Sequence, residues 1–161
     1  MSTDRSRPDR VMLVIGLRRD DDGYPPWDHE HIPAEEVGDH LFRLLAPPVF
    51  GRGLANGDVV RAVHYGEPES LWVESFVAAS GHSTARVVLF RSAAPTPIPE
   101  VVARFGCVGA TTSIDGFFTI DIPPDADLVG LITELRAGRA DGRFDYNIGV
   151  AAEGHEMLVS R

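Results

Sequence analysis

Within residues 80–84 the chain places Ser80, His82, Ser83 and Thr84 around Gly81, and an apolar strand follows at once in "SGHSTARVVLF". No other stretch brings so many hydroxyl and imidazole groups together. Two kinds of chemistry suit such a cluster. Backbone N–H groups and hydroxyls beside a glycine can cradle an anion, and His82 can serve as a general acid or base near neutral pH, with Ser80 or Ser83 as the hydroxyl it activates. Arg86 follows on the same segment, and strand pairing is expected to bring Asp58 near, giving a ligand set of Ser80, His82, Ser83, Thr84, Arg86 and Asp58. An arginine beside hydroxyls favours a carboxylate or phosphate ligand. A serine nucleophile, however, needs an oxyanion site and an orienting third group, and no G-x-S-x-G elbow supplies them. The same residues satisfy backbone groups at a chain reversal, and this hinge role takes precedence here over a catalytic one. Catalysis would require a concave seam with His82 partly exposed and bonded to a carboxylate.

A weaker candidate is "WDHEHIPAEE", residues 27–36, where His29 and His31 would share one face of a strand and could hold a metal with a nearby carboxylate. The spacing matches no H-E-x-x-H or cysteine-rich pattern, so a solvated acidic loop is the expected outcome and no metal site is assigned. Cys107, directly after Gly106, reads as a small core residue rather than a nucleophile. Gly51, Gly53 and Gly57 in "GRGLANGD" read as turn residues, with no nucleotide-loop spacing, and no cofactor is expected.

Composition narrows the field further. All 15 basic residues are arginine, so Schiff-base chemistry and a phosphate-loop lysine are excluded. Against 24 acids they leave a net charge of −9. Residues 1–79 carry 14 acids and 8 arginines, the remainder 10 and 7, so no basic stripe exists to neutralise nucleic-acid phosphates. A partner with a basic surface is the better electrostatic match. The lone cysteine allows no internal disulfide and points to a reducing, cytoplasmic setting. The apolar run "VMLVIGL" is too short to span a membrane and leads into "RRDDDG", so it is expected to be a buried strand.

The elements that must position these residues fall into two rhythms. Up to residue 79 the chain alternates short apolar runs with dense turn residues, predicting strands at 12–17, 40–45, 59–65 and 71–78, a less defined one at 32–37, and no helix beyond about two turns. These form a small curled sheet or barrel. From residue 80 the pattern changes. A strand is followed by "PTPIPEVVARFG", which opens on prolines, lines Ile98, Val101, Val102 and Phe105 on one helical face and stops at Gly106. Two strands joined by a two-residue hairpin at Asp115-Gly116 come next. A helix capped by Asp125 or Asp127 then carries Leu128, Leu131, Ile132 and Leu135, and "RFDYNIGVA" ends the series as a strand. The order β-α-β-β-α-β is that of a ferredoxin-like unit. The expected class is therefore α+β: a flexible arm at 1–10, a β-rich module at 11–79, a ferredoxin-like module at 80–150 and a tail at 151–161.

Taken together, "GYPPW", "PPVFGRGLANGDVVRA", "SGHSTARVVLF" and "FFTIDIPPDAD" resemble an uncharacterised bacterial family, domain of unknown function 4265. The resemblance spans roughly residues 11–150. Its most specific parts are Gly57-Asp58-Val59-Val60 and residues 80–84 with Arg86. After Tyr24-Pro25-Pro26 the chain departs from the family pattern, with "WDHEHIPAEE" in place of a more apolar strand, so a metal role for His29 and His31 would not extend to relatives. The resemblance implies a fold and carries no activity.

Small size, acidity and the lack of a complete catalytic set favour a non-enzymatic, immunity- or antitoxin-like module that covers a basic protein surface. The alternative is an anion-binding or hydrolytic module with its site at the seam around residues 80–84. Neither nucleic acid nor membrane is an expected partner.

Overall fold

A computed structural model describes residues 9–91, 94–152 and 155, and its elements form two sheets of a mixed α+β fold. The first five strands are β1 (Arg10–Gly16), β2 (His29–Gly38), β3 (Leu41–Leu44), β4 (Val59–Tyr65) and β5 (Ser70–Ala78). They close into a barrel in sequence order, antiparallel throughout except where β1 meets β5 in parallel at Leu13–Leu71 and Val14–Trp72. Side chains alternate across each strand, so Leu13 and Ile15, Ile32 and Ala34, Phe42 and Leu44, and Val60 and Ala62 fill the barrel.

The acidic, histidine-bearing segment expected as a loop is strand from His29 onward. It pairs with β1 along its first seven residues, from Gly16–His29 to Arg10–Glu35. Its outward half carries His29, His31 and Glu35, while Glu30 shares the inward face with Ile32 and Ala34 at the barrel's end. The strand expected from His40 starts at Leu41, because His40 adopts a φ of 57° in the turn that joins β2 to β3. Arg10 belongs to β1 rather than to an N-terminal arm; residues 1–8 of that arm lie outside the described residues.

The second sheet contains β6 (Ser83–Leu89), β7 (Val108–Thr111), β8 (Phe117–Ile122) and β9 (Phe144–Val150), all antiparallel in the order β7-β8-β6-β9. Helices α1 (Ile98–Ala103) and α2 (Leu128–Ala140) supply Ile98, Val102, Leu128, Leu131, Ile132 and Leu135 to a core shared with Ala85, Val87, Ile120, Ile122 and Phe144. Asp127 is the cap of α2, its carboxylate accepting from Gly130 N at 3.0 Å. Cys107 is buried in this core, and desolvation, with Asp121 and Asp127 adding to it, pushes its thiol up to about 11.

The β7–β8 connection is not the two-residue hairpin that Asp115-Gly116 suggested. Pairing stops at Thr111–Phe118, and the Thr112 hydroxyl gathers the turn by accepting from Ile114 N at 3.1 Å and lying 3.0 Å from Phe117 O. A side chain that satisfies the turn's backbone lets the ladder end early.

Alternation sends Thr84, Arg86 and Val88 of β6, and Thr119 and Asp121 of β8, to the face away from the helices. The barrel's 45–58 connection lies against that face. Among the described residues no helix is long and apolar enough to cross a membrane.

Candidate functional site

The seam is built outward from one buried carboxylate. Asp58, at the entry to β4, turns Oδ2 toward Ala55 N (2.9 Å) and Oδ1 toward Ser80 N (2.9 Å) and Ser80 Oγ (3.0 Å). Ser80 Oγ lies closer still to Asn56 O, 2.6 Å, and accepts from His82 N at 3.1 Å. A Cβ on Gly57 would stand 3.0 Å from Ser80 Cβ, and its φ is 81°, so glycine is required there for the two segments to meet. Asp58 and Ser80 thus form one hydrogen-bonded clasp between barrel and sheet.

His82 sits on the next layer. Its Nδ1 lies 2.7 Å from Asp121 Oδ1, and Asn56 Nδ2 donates to the other carboxylate oxygen at 2.8 Å. With Asp121 accepting, the proton belongs on Nδ1 and Nε2 is the basic nitrogen. Nε2 has no hydrogen-bond partner among the described residues. The His82 side chain is 24% exposed, that of Asp121 9%, so the imidazole can be reached while its orienting carboxylate is shielded. Around them opens a cleft of ≈ 540 Å³ walled by Asp58, Phe76, Ser80, Gly81, His82 and His155, among others. The N–H of Gly81 also has no acceptor among the described residues.

The remaining expected site residues separate from this cleft. Ser83 is fully buried; its Oγ lies 2.6 Å from His155 Nδ1 and accepts from Ala152 N at 2.8 Å. The segment after β9 is therefore pinned where it passes β6, while residues 153, 154 and 156–161 of the expected tail lie outside the described residues. Thr84 is fully buried with its hydroxyl unpartnered among the described residues. Arg86 lies away from the His82 cleft. It donates to Pro48 O (3.0 Å), Gly51 O (3.1 Å) and Val49 O, and burial, ahead of other influences, lowers its pKa. Glu30 of β2 grips the same loop from the other side, accepting from Val49 N (2.9 Å), Phe50 N (3.0 Å) and Gly51 N. Residues 48–51 are thus clamped through their carbonyls by a cation and through their N–H groups by an anion.

His29 and His31 do share a face of β2, with ring centroids 5.3 Å apart. The Nδ1 of His29 is engaged by Asp28 at 2.6 Å, an interaction that also holds the Asp28 carboxyl below its usual value. Among the described residues no group of three or more potential ligands is placed to hold a metal.

Asp121, Asn56, His155 and Glu30 were not among the site residues expected from sequence. Only Asp121 carried a local signal. In "FFTIDI" it shares a face with Thr119, opposite Phe118, Ile120 and Ile122, and an acid in an otherwise apolar strand needs a partner.

A hydroxyl buried in two bonds at a junction gives a testable expectation. Ser83→Ala leaves Ala152 N–H and His155 Nδ1 without their partner and should cost about 2 kcal/mol, at the upper part of the range for a lost turn or cap bond. For a chain of this size that lowers the melting temperature by about 4–8 °C in thermal unfolding. A variant melting with the parent would show that the junction is not held there.

No curated protein matches the sequence. The fold is similar to that of the crystal structure of a hypothetical protein from Neisseria gonorrhoeae, with a TM-score of 0.73 over 91% of this chain and 99% of that one at 15% identity. The family model named Domain of unknown function (DUF4265) matches residues 30–146, which include the Glu30 grip, the Asp58 clasp and the His82–Asp121 pair; the chain belongs to this family.

Proposed function

We propose that this protein is a small-ligand module whose site is the seam cleft, with His82 and Asp121 as an acid–base pair. The observation that carries the reading is the partly exposed imidazole bonded to a shielded carboxylate inside a concave seam. Asp121 fixes the ring with the proton on Nδ1, so Nε2 can take a proton from a bound hydroxyl or water, or donate to an anion once charged. Ser80 is committed to Asn56 O and Asp58, and Ser83 is buried, so neither serves as nucleophile. Hydrolysis here would use water: the water oxygen bonds the acyl carbon, Nε2 receives its proton, the bond to the leaving oxygen breaks, and that oxygen takes the proton. The free N–H of Gly81 supports the developing anion.

The test is turnover of 4-nitrophenyl acetate together with NMR titration of the His82 ring by acetate and by inorganic phosphate. The expected result is a His82-dependent response to an anion or ester that disappears in His82→Ala while the melting temperature stays within about 2 °C, since only a partly exposed bond is lost. Absence of turnover, together with His82 resonances indifferent to both anions, would reject the site.

A second reading, a docking module for a basic protein surface in a reducing cytoplasm, is favoured by the outer half of β5. Residues 74–78 are exposed, pair only with β4, and present Phe76 and Val77. Two register shifts and Glu74 moderate this edge against indiscriminate pairing. With a net charge of −9, such docking predicts association that slows as salt screens it, over a Debye length of about 10 Å at 0.1 M. The sheet order β7-β8-β6-β9 with two helices on one face supports a ferredoxin-like assignment for the second unit, whose outer edges are β7 and β9.

A further inference from the structure

A second cleft, of ≈ 270 Å³, opens on the same side of the second sheet, farther along β6. Its walls include Tyr24, Phe50, Phe117, Arg52, Arg86 and Asn147. The rings form a continuous aromatic surface. Phe50 stacks on Phe117 with centroids 5.8 Å apart and planes at 24°, and Tyr24 meets Phe50 edge-on at 5.9 Å. Trp27 leans on Phe50 at 5.3 Å and so reports on this surface.

The charges in the cleft are unbalanced. Arg86 spends Nε and Nη2 on loop carbonyls, and its Nη1 has no acceptor among the described residues. That nitrogen packs against the backbone of Gly149, where a Cβ would stand 2.1 Å from it. Arg52 is exposed and makes no hydrogen bond or ion pair among the described residues. The acid on the wall, Asp145, is already bonded to Arg139 Nε and to Tyr146 N, each at 2.8 Å. Glu30 acts on Arg86 as a favourable charge but spends its carboxylate on the N–H groups of the loop that both of them grip. Two guanidinium groups therefore line an aromatic cavity whose wall carboxylate, Asp145, is paired through Oδ1 with Arg139. Each raises the free energy of the other's charge, and an anion would relieve both.

We propose that this cleft binds a single-ring aromatic anion, a carboxylate or phosphate monoester, with its ring against Tyr24, Phe50 and Phe117 and its charge near Arg52 and Arg86. The volume lies just under the usual ligand-pocket range of about 300–1,000 Å³, which limits the occupant to one ring. Arginine's planar fork suits either oxyanion, and a guanidinium over a ring adds cation–π attraction. The site does not depend on the seam cleft being functional.

The experiment uses four probes on the full chain: benzoate, phenyl phosphate, benzamide and acetate, followed by Trp27 fluorescence and backbone NMR shifts. Benzoate or phenyl phosphate should bind with a Kd of about 1 mM or lower and shift residues around Phe50 and Phe117. The neutral ring and the ringless anion should each bind at least about tenfold more weakly. Arg52→Gln removes an exposed charge that makes no hydrogen bond or ion pair among the described residues; it should weaken benzoate or phenyl phosphate by about tenfold, which corresponds to about 1.4 kcal/mol, and leave benzamide unchanged. Tyr24→Ala should weaken both ring-bearing anions and not acetate. His82→Ala should change none of these values, which separates this site from the seam. Equal affinity for benzoate and benzamide, insensitivity to Arg52→Gln, or no saturable binding of either aromatic anion up to about 10 mM would each overturn the proposal.

Discussion

Glu30→Ala is expected to lower stability by about 3 kcal/mol, and the melting temperature by about 6–12 °C at the scale appropriate to a chain of this size. The Glu30 carboxylate accepts from three successive loop N–H groups, those of Val49, Phe50 and Gly51. Bonds to a charged acceptor are worth about 1.5–3 kcal/mol each, but the site is only part-buried, so water recovers some of the loss and the sum is discounted to about 3. The removal also withdraws a favourable charge acting on Arg86, which burial already disfavours as a cation. Glu30→Gln should recover part of the loss, because its amide oxygen still accepts while its NH2 faces an N–H group. Thermal unfolding of the two variants tests this: a fall of less than about 2 °C for Glu30→Ala would mean that loop 48–51 is held by Arg86 and packing alone.

That clamp shows why parts of the site could not be read from one sequence. The second half was legible because its signals are local. Prolines ahead of Ile98, a stripe from Leu128 to Leu135 and the Asp127 cap each fix an element without reference to distant chain. The barrel was harder. Half of β2 faces outward and carries His29, His31 and Glu35, so its polarity resembled a loop, and only pairing with β1 reveals it as strand. The site depends on pairings of long sequence separation: His82 with Asp121, Asn56 with Asp121, Ser83 with His155. These follow from the order in which β8 and β9 flank β6 and from the barrel's 45–58 connection lying against that sheet, which no local pattern specifies. Residues 80–84 were legible as a cluster but not as a division of labour. Strand alternation sends Thr84 and Arg86 to the loop-facing side of β6, and only Ser80 and His82 of that cluster's side chains join the cleft wall.

Asp58→Asn changes almost no volume, and for that reason it isolates what the carboxylate does. Both oxygens of Asp58 are acceptors: one serves Ser80 N and Ser80 Oγ, the other serves Ala55 N. An asparagine has one oxygen and one NH2, so either orientation of the amide aims a donor at a backbone N–H in a site that is 3% exposed. A buried donor left without an acceptor costs about 1–3 kcal/mol, and loss of the charge weakens the bonds that remain, so the expected loss is about 3 kcal/mol. Asp58→Ala, which strands both N–H groups, should lose about 4 kcal/mol, or about 8–16 °C. Ser80→Ala keeps the N–H bond to Asp58 but gives up the Oγ bonds to Asn56 O and from His82 N, and should lose about 2 kcal/mol. The ranking has a consequence for the neighbouring pair. Asn56, two residues before Asp58, holds the far oxygen of Asp121, so a loosened clasp should also release the carboxylate that orients His82. The ring resonances of His82 in Asp58→Asn should therefore shift below the melting transition. An Asp58→Asn protein that melts with the parent and leaves His82 undisturbed would show that the barrel and the sheet meet without this clasp.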